Sequence, residues 1–541
     1  MKALTAAEMH EVEQLITERF AISTSQLMES AGQSVSAAIH DYRTRARLSR
    51  LLRVAVLCGK GNNGGDGFVA ARHLRKDPLN SHVRVYLFGS PRDLRGDAAE
   101  NCKLWSKDGG AITEVASEAD WETVWKEISW ADIIVDALLG IGLRGGATGL
   151  IARAIEDLNR FSGNATSPIP ALIVAVDTPS GLPSDGEAAQ GPVLRAHKTV
   201  TFIAPKVGQL ISPQAACCGE LAVRLIGSSP VLVDEVGKGN LRWAGPEEFA
   251  SLPLIRAVDS HKGTFGHVLV IAGSLGKSGA AVLAGTATLY AGAGLTTIAT
   301  PDAVLPIVAA AHPEYMTEPL SSTETGTVSA ANITSSRFAK ILEGKTTLAL
   351  GPGLGTHPET QQFILDAVRD ADLPIILDAD GLNAFAGKGE LLRSRKSPFL
   401  AVTPHPGEMA RMLGIKTSDV QADRVKVASE VARRWNVHVI LKGFHTLIAS
   451  SDGKVWVNTT GGAGLAKGGS GDALTGVLAA VTAQFGTQDW LRVLALGVYL
   501  HGAAADFAQR WCGESGLTAS TVAMTVPAVR RSLIQEIQGR G

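Results

Sequence analysis

Short apolar runs alternate with longer amphipathic helical patterns along the whole chain, which predicts a parallel α/β architecture. In the first 230 residues the periodicity predicts strands at 53–58, 83–88, 132–135, 171–176 and 199–203. Beyond them it predicts strands at 267–271, 296–299, 347–350, 374–377, 399–402 and 438–441. The stretch GSSPVLVDEVGKGNLRWAGPEE, from Gly227, breaks both periodicities and carries Gly and Pro. It predicts a boundary between two α/β domains, 1–230 and 231–541. The first twenty residues read as an acidic amphipathic helix without the apolar core of a secretory signal. No charge occurs from Ser278 to Pro301, but the stretch is rich in Gly, Ala and Thr. It reads as a buried helix and strand, not a membrane span.

Composition narrows the picture. At 541 residues the chain is too long for one ordinary domain. Its 59 glycines and 5% aromatics suit tight strand-to-helix turns better than a β-sandwich. The 51 basic and 52 acidic residues leave a net charge of −1, so nothing favours nucleic acid or anionic membrane. Neither is an expected partner; a homo-oligomer is. The five cysteines are odd in number and form no Cys-x-x-Cys, which argues against a disulfide framework and a thiolate zinc site. Small buried thiols in the cytoplasm are expected.

Ligands of open parallel sheets sit beyond the carboxyl ends of the strands. The first predicted strand runs into CGKGNNGGDGFVAARHL, where Gly59, Gly61 and Gly64 match G-x-G-x-x-G. A helix starting near Gly67 would aim free amides at an anion. The second predicted strand ends VYLFGSPRD, with Gly89 and Ser90 where a dehydrogenase needs an acidic ribose ligand. Asn62, Asn63 and Asp66 give this loop more polarity than a pyrophosphate requires. The third strand ends at Asp136, before a second glycine-rich loop, Gly140 to Gly146. The fourth ends IVAVDTPSGL, with Asp177 and Ser180. One strand-end aspartate is usually a cap; three polar clusters on one rim point to a site.

These strings, with QLMESAG at 26–32, resemble the NAD(P)H-hydrate epimerase family, the YjeF N-terminal domain, over roughly residues 1–225. The resemblance implies a Rossmann-like three-layer domain. It implies that Asn62, Asn63, Gly64, Gly65 and Asp66 hold the hydrated dinucleotide with Gly140, Ile141, Gly142, Leu143, Arg144, Gly145 and Gly146. It further implies a potassium ion on Asn63, Asp136 and Ser180, and Asp177 at the reacting ring. A carboxylate suits the proton movement that inversion of C6 requires, and oxygen ligands suit a hard monovalent cation.

In the second half, NTTGGAGLAKGGSGDALTGVLAAV, from Asn458, predicts an anion hole at a helix N-terminus. Asp472 stands beside it, placed to take a hydroxyl proton during phosphoryl transfer; a simple cap would not need so many glycines. LALGPGLG sets Gly351, Gly353 and Gly355 in a turn that admits close approach. His405 lies between two prolines, Lys442 and Thr446 flank Gly443, and no Walker A string occurs. Asp378 and Asp380 suit either a cation or a turn.

HKGTFGHVLVIAGS, SGAAVLAG, LGPGLG, TPHPGE, KGFHT and GGSGDALTG, in that order, resemble the ADP-dependent NAD(P)H-hydrate dehydratase family over about 240–535. The resemblance implies a ribokinase-like α/β fold. Ala280, Gly355, His405 and Asp472 would then meet the hydrate; Lys442, Gly443, Phe444, His445, Thr446 and Gly471 would meet ADP, the phosphoryl donor, with Mg2+. The chain departs from that family at Gly462-Ala463-Gly464-Leu465, where Asn-Pro-Gly-Met is usual. The expected whole is a bifunctional repair enzyme acting on NADHX and NADPHX. Its first half would interconvert the R and S hydrates; its second would dehydrate the S form, consuming ADP and releasing AMP and phosphate. The alternative is a small-molecule kinase of the ribokinase-like class fused to a nucleotide-binding module. A nicotinamide dehydrogenase is a third reading.

Overall fold

The computed structural model describes residues 1–45, 50–77, 82–129, 131–143, 145–162, 171–486 and 488–539. The chain divides into two compact units, Met1–Gly239 and Asn240–Gly541. This falls nine residues beyond the 230/231 boundary expected from composition. The reason is a short helix, Pro230–Val236, capped by Ser229. It buries Leu232, Val233 and Val236 and packs on the helix Ala6–Phe20. The Lys238 amide then donates to Glu8 at 2.8 Å. Ala6–Phe20 is the amphipathic helix expected; it opens on a Thr5–Glu8 capping box and buries Met9, Val12 and Ile16.

The first unit holds seven strands: β1 (Arg53–Cys58), β2 (His82–Leu87), β3 (Ile112–Glu114), β4 (Ile133–Ala137), β5 (Leu172–Val176), β6 (Lys198–Phe202) and β7 (Glu220–Arg224). All pair in parallel in the order β3-β2-β1-β4-β5-β6-β7, the Rossmann order with one strand added. Alternate residues serve opposite faces. Ala55, Leu57, Ile134 and Ile173 pack on Trp121, Val124 and Ile155 of the helices Glu118–Ile128 and Gly149–Ser162. On the other face a methyl on Gly67 of the helix Asn62–Lys76 would stand 2.8 Å from Cys58 Sγ. The unit is therefore three-layered. The strands β3 and β7 escape the sequence reading because they are short and part-exposed, with little apolar alternation.

The second unit holds ten: β8 (Leu241–Trp243), β9 (His267–Ile271), β10 (Leu295–Pro301), β11 (Met316–Leu320), β12 (Thr347–Leu350), β13 (Ile375–Leu377), β14 (Leu400–Val402), β15 (His438–Leu441), β16 (Thr446–Ala449) and β17 (Val455–Asn458). Their order is β11-β10-β9-β12-β13-β14-β15-β16-β17-β8. The sheet departs from the wholly parallel one expected, because β16 runs antiparallel to both neighbours. The turns around it are too short for the crossover a parallel pair needs. One face of the sheet buries Val268, Val270, Ile298, Ala349, Ile376 and Ile440 against four helices: Ser278–Tyr290, Ser470–Phe485, Trp490–Cys512 and Ala519–Gln538. The uncharged stretch 278–301 is indeed one of these helices followed by β10. Trp490–Cys512 is, among the described residues, the one helix long and apolar enough to cross a membrane, but 72% of its apolar window is buried in the protein. All five cysteines are free thiols.

Fragments 1–239 and 240–541 should each be soluble and melt in a single transition. Fragment 1–230 should melt lower than 1–239, since it loses the three buried residues of Pro230–Val236. Thermal circular dichroism decides; equal midpoints would place the boundary back at 230.

Candidate active sites

In the first unit the register aligns Cys58 with Ala137 and Asp136 with Ala175, so the residues after β1, β4 and β5 emerge on one rim. The chain reverses its direction of travel between β1 and β4, the place where doubly wound sheets bind ligand. A cavity of about 640 Å³ opens there. Its lining includes Asn62, Asn63, Asp66, Gly140, Asp177 and Phe202.

The helix begins at Asn62, capped by Gly61, rather than near Gly67. Asn62, Asn63, Gly64, Gly65 and Asp66 are thus its first turns, not a loop. The glycines are there for packing. A methyl on Gly64 would lie 2.0 Å from Gly59 O, and one on Gly65 would lie 2.7 Å from Met28 Sδ. Met28 and Gly32, from the QLMESAG string, build the contact of helix Thr24–Arg45 with this helix; Gly32 faces Val69. Of the second glycine-rich loop, Gly140, Ile141, Gly142 and Leu143 line the cavity. Gly145 and Gly146 face Gln190 and Gly191 instead. Arg144 lies outside the described residues.

Asn63, Asp136 and Ser180 do converge. Asn63 Nδ2 donates to Leu139 O at 3.0 Å, and Leu139 N donates to Ser180 Oγ at 2.9 Å. Ser180 gives its amide and hydroxyl to the Asp136 carboxylate at 2.8 and 2.6 Å. Asp136 is fully buried with no cationic partner among the described residues, and burial lifts its carboxyl to about 6 against those hydrogen bonds. Asn63 Oδ1 is buried without a hydrogen-bond partner. An orphaned amide oxygen beside an uncompensated carboxylate is a donor set that fits a monovalent cation.

Asp177 takes a left-handed conformation, φ +61°, rare outside glycine. This bends the chain after β5 so that its carboxylate meets Lys206, a residue the sequence reading missed. Lys206 is wholly buried; its ammonium donates to the Asp177 carboxylate, to Thr201 Oγ1 at 2.8 Å and to Phe202 O at 3.1 Å. Three protons meet three acceptors. Gln209 Nε2 donates to Asp177 O at 2.7 Å and fixes the turn. A lone lysine in an Ala-Pro-Lys string gives no sequence signal of such pairing.

In the second unit the reversal lies between β9 and β12. There Gly273 N donates to Pro352 O at 2.8 Å and Ser274 Oγ to Gly353 O at 2.7 Å. Gly353 has φ +65°, and a methyl on it would strike the Ala280 side chain at 2.8 Å. Gly355 N donates to Asp380 at 2.8 Å, and Asp380 also pairs with Lys277 at 3.2 Å. Ala280 and Gly355 therefore share one wall.

The glycine-rich segment caps a helix that starts at Ser470, with Gly469 at φ +89° as its cap. Asp472 is the third helical residue and caps nothing, so the cap reading fails. Burial, then Asp378 nearby, raises its carboxyl to about 6, with Lys442 opposing. Lys442 bonds Asp378 at 2.8 Å and stands 3.6 Å from Glu408. Desolvation opposes both charges, yet their attraction wins: Asp378 titrates below, and Lys442 above, its ordinary value. Thr475 donates to the other Asp378 oxygen at 2.7 Å. Asp378 and Asp380 thus hold side-chain ammonium groups. A methyl on Gly471 would sit 3.3 Å from Lys442 Nζ, so the ammonium borders the anion hole. His405 caps the helix Pro406–Leu413 through Nδ1, and burial holds its imidazole below its usual value. Gly443, Phe444 and His445 form the β15–β16 turn; Phe444 is exposed, its ring stacked on His445. Thr446 starts β16 and bonds Gly443 O at 3.2 Å. Buried His501, whose imidazole is held at about 4 by burial, bonds the Ser470 backbone behind the hole; sequence reading missed it.

Lys206→Met should destabilise the first unit by ~3–5 kcal/mol, because it strands a buried carboxylate. Adding Asp177→Asn should recover much of that loss. Urea melts of the single and double variants read it; a double variant no better than Lys206→Met would show that the lysine acts through packing.

Two family models match the chain: YjeF-related protein N-terminus over residues 24–208, and NAD(P)H-hydrate dehydratase over 268–527. The bifunctional NAD(P)H-hydrate repair enzyme Nnr of Moorella thermoacetica is 38% identical over 540 residues, covering 99% of this chain and 98% of that one. Its Escherichia coli K12 counterpart is 33% identical over 88% of this chain and 84% of its own. The crystal structure of an ADP/ATP-dependent NAD(P)H-hydrate dehydratase from Bacillus subtilis, with ATP and Mg2+, is 33% identical. It covers 54% of this chain and 99% of its own, with a TM-score of 0.48. Matched end to end by such relatives, the chain belongs to the family of bifunctional NAD(P)H-hydrate repair enzymes.

Proposed function

We propose that the first unit epimerises R and S NAD(P)H hydrates and that the second dehydrates the S form at the expense of ADP. The observation that carries this is Asp472, an uncapping carboxylate beside a glycine-built anion hole and the Lys442–Asp378 pair. Asp472 removes the C6 hydroxyl proton as the oxygen takes the β-phosphoryl group of ADP, leaving AMP. The amides of the Gly468–Gly471 segment and the Lys442 ammonium hold the charge that builds on the moving phosphoryl. Phosphate then leaves C6 as C5 gives up a proton, and NADH or NADPH is restored. The free energy of the donor thereby turns a poor leaving group, hydroxide, into a good one.

Among the described residues no group of three His, Cys, Asp or Glu side chains forms a metal cage. Bound with the nucleotide, magnesium would lower the charge of the phosphates that the Lys442 ammonium and the Gly468–Gly471 amides would face. In the first unit Asn63 Oδ1, Asp136 and Ser180 would hold a potassium ion, whose charge would brace the loops after β1, β4 and β5. Asp177 faces the ring. The kinase alternative shares the anion hole but gives the first unit's cavity no task.

The deciding experiment supplies both hydrates and ADP and follows the return of NADH absorbance. Full recovery is expected; recovery of half or less would remove the epimerase. Asp472→Asn should lower dehydration by ~10²–10⁴ while epimerisation stays unchanged. The base works ionised, so dehydration should fall as pH drops through about 6. Turnover near wild type in Asp472→Asn would refute the role. Epimerisation should run faster in potassium than in sodium at equal ionic strength, and Asp136→Asn should abolish the difference. Equal rates in both salts with the wild-type chain would leave Asp136 a purely structural group.

A further inference from the structure

Four carboxyl groups line the first unit's cavity: Glu13 lies beside His10 and Asp97 accepts from Thr24, which leaves Asp177 and Asp66. Asp177 is ion-paired with buried Lys206. Asp66, from the second turn of the helix after β1, has no hydrogen bond or ion pair among the described residues, yet lines the same cavity. The two come from strands on either side of β4. We propose that Asp66 is the proton donor of the epimerisation and that Asp177, ion-paired with Lys206, is the proton acceptor. The inference rests on the epimerase reading above and assigns its acid.

The surroundings agree. Burial raises the Asp66 carboxyl well above its ordinary value, Asp177 and Glu13 raise it further, and Lys206 only partly offsets them. The other titratable groups on the cavity wall are His10, Lys60 and Asp97. Lys60 is engaged by Asp93 at 2.9 Å, so no free ammonium competes there to neutralise Asp66. An un-ionised carboxylic acid facing a ligand can give up a proton, and a carboxylate held beside an ammonium is placed to take one.

The chemistry balances. Asp66 gives its proton to the C6 hydroxyl oxygen, and the C6–O bond breaks with its electron pair leaving in water. The lone pair of N1 fills the gap as an N1=C6 bond. The resulting cation stands between the Asp66 and Asp177 carboxylates, where charge is best stabilised. Water attacks C6 on the opposite face, the new C6–O bond forms, and the released proton passes to Asp177. Solvent returns a proton to Asp66 and takes one from Asp177. Nothing is oxidised or reduced. The reverse inversion exchanges the two roles.

The test uses the full chain, purified R hydrate and water enriched in oxygen-18. Wild type should convert R to S and place solvent oxygen on C6 in each inversion. Asp66→Asn should lose ~10²–10⁴ of kcat with KM within threefold, and its dehydration of S hydrate should stay intact as an internal check on folding. Asp66→Glu, which still carries a proton to give, should regain at least tenfold over Asp66→Asn. Wild-type kcat should fall at high pH as the acid deprotonates, a limb absent in Asp66→Asn. A wild-type chain that leaves R hydrate untouched refutes the epimerase reading itself. A wild-type chain that inverts without solvent oxygen refutes this route. So does an Asp66→Asn chain that keeps its rate, or an Asp66→Glu chain as inactive as Asp66→Asn.

Discussion

A lysine ammonium drawn in from solvent and paired with a strand-end aspartate is the constraint on which both sites depend. Lys206 meets Asp177 in one unit, and Lys442 meets Asp378 in the other. Burying either charge alone costs several kcal/mol, so each pair holds only while its turn is correctly built. The backbone shows the strain of that fit. Asp177 has φ +61°, and Ala379, next to Asp378, has φ +50°. Each such residue stores ~1–3 kcal/mol. In each unit a second carboxyl, Asp66 or Asp472, stands near the pair and is raised by burial and by its neighbour's charge. One ion pair fixes a rim, and the unpaired carboxyl beside it is the group to which the proton work is assigned above.

Much of this was legible in the sequence. The central strands announce themselves because a parallel sheet buried on both faces writes near-continuous apolar runs. Glycine-rich strings and strand-end carboxylates mark the rims because close approach and proton transfer demand those residue types. The edge strands β3, β7, β8 and β11 were not legible, being short or part-exposed with little alternation, nor were the four-residue strands β16 and β17 that follow β15 closely. Nor was the start of the helix at Asn62, since two asparagines and two glycines resemble a loop until Gly61 is seen to cap them. Lys206 and His501 stayed hidden for a deeper reason. A buried charge is defined by what surrounds it in space, and Lys206 finds Asp177 29 residues away.

The glycines divide into two physical kinds. Gly353 and Gly469 supply backbone conformations that side chains resist. Gly64, Gly65 and Gly67 supply absence, letting a helix settle onto β1 and its neighbours closely enough that its first turn can meet a ligand. The same string thus satisfies a dinucleotide motif and a packing requirement. That is why G-x-G-x-x-G alone could not separate a dehydrogenase from this family.

The helix Ser470–Phe485 carries the anion hole at one end and is buried along nearly its whole length. A methyl on Gly476, midway along it, would come within 2.1 Å of Ala284 O on the helix packed beside it. Such a helix cannot swing to release a product. The compliance that turnover requires has to come from the far flank of Lys442, where Gly443–His445 turn in the open and Phe444 stands exposed. In the proposed reaction the release of AMP would then fall to that hairpin tip, on a different element from the proposed base. Substitutions at Phe444 can change how long the product stays while leaving intact the groups that made it.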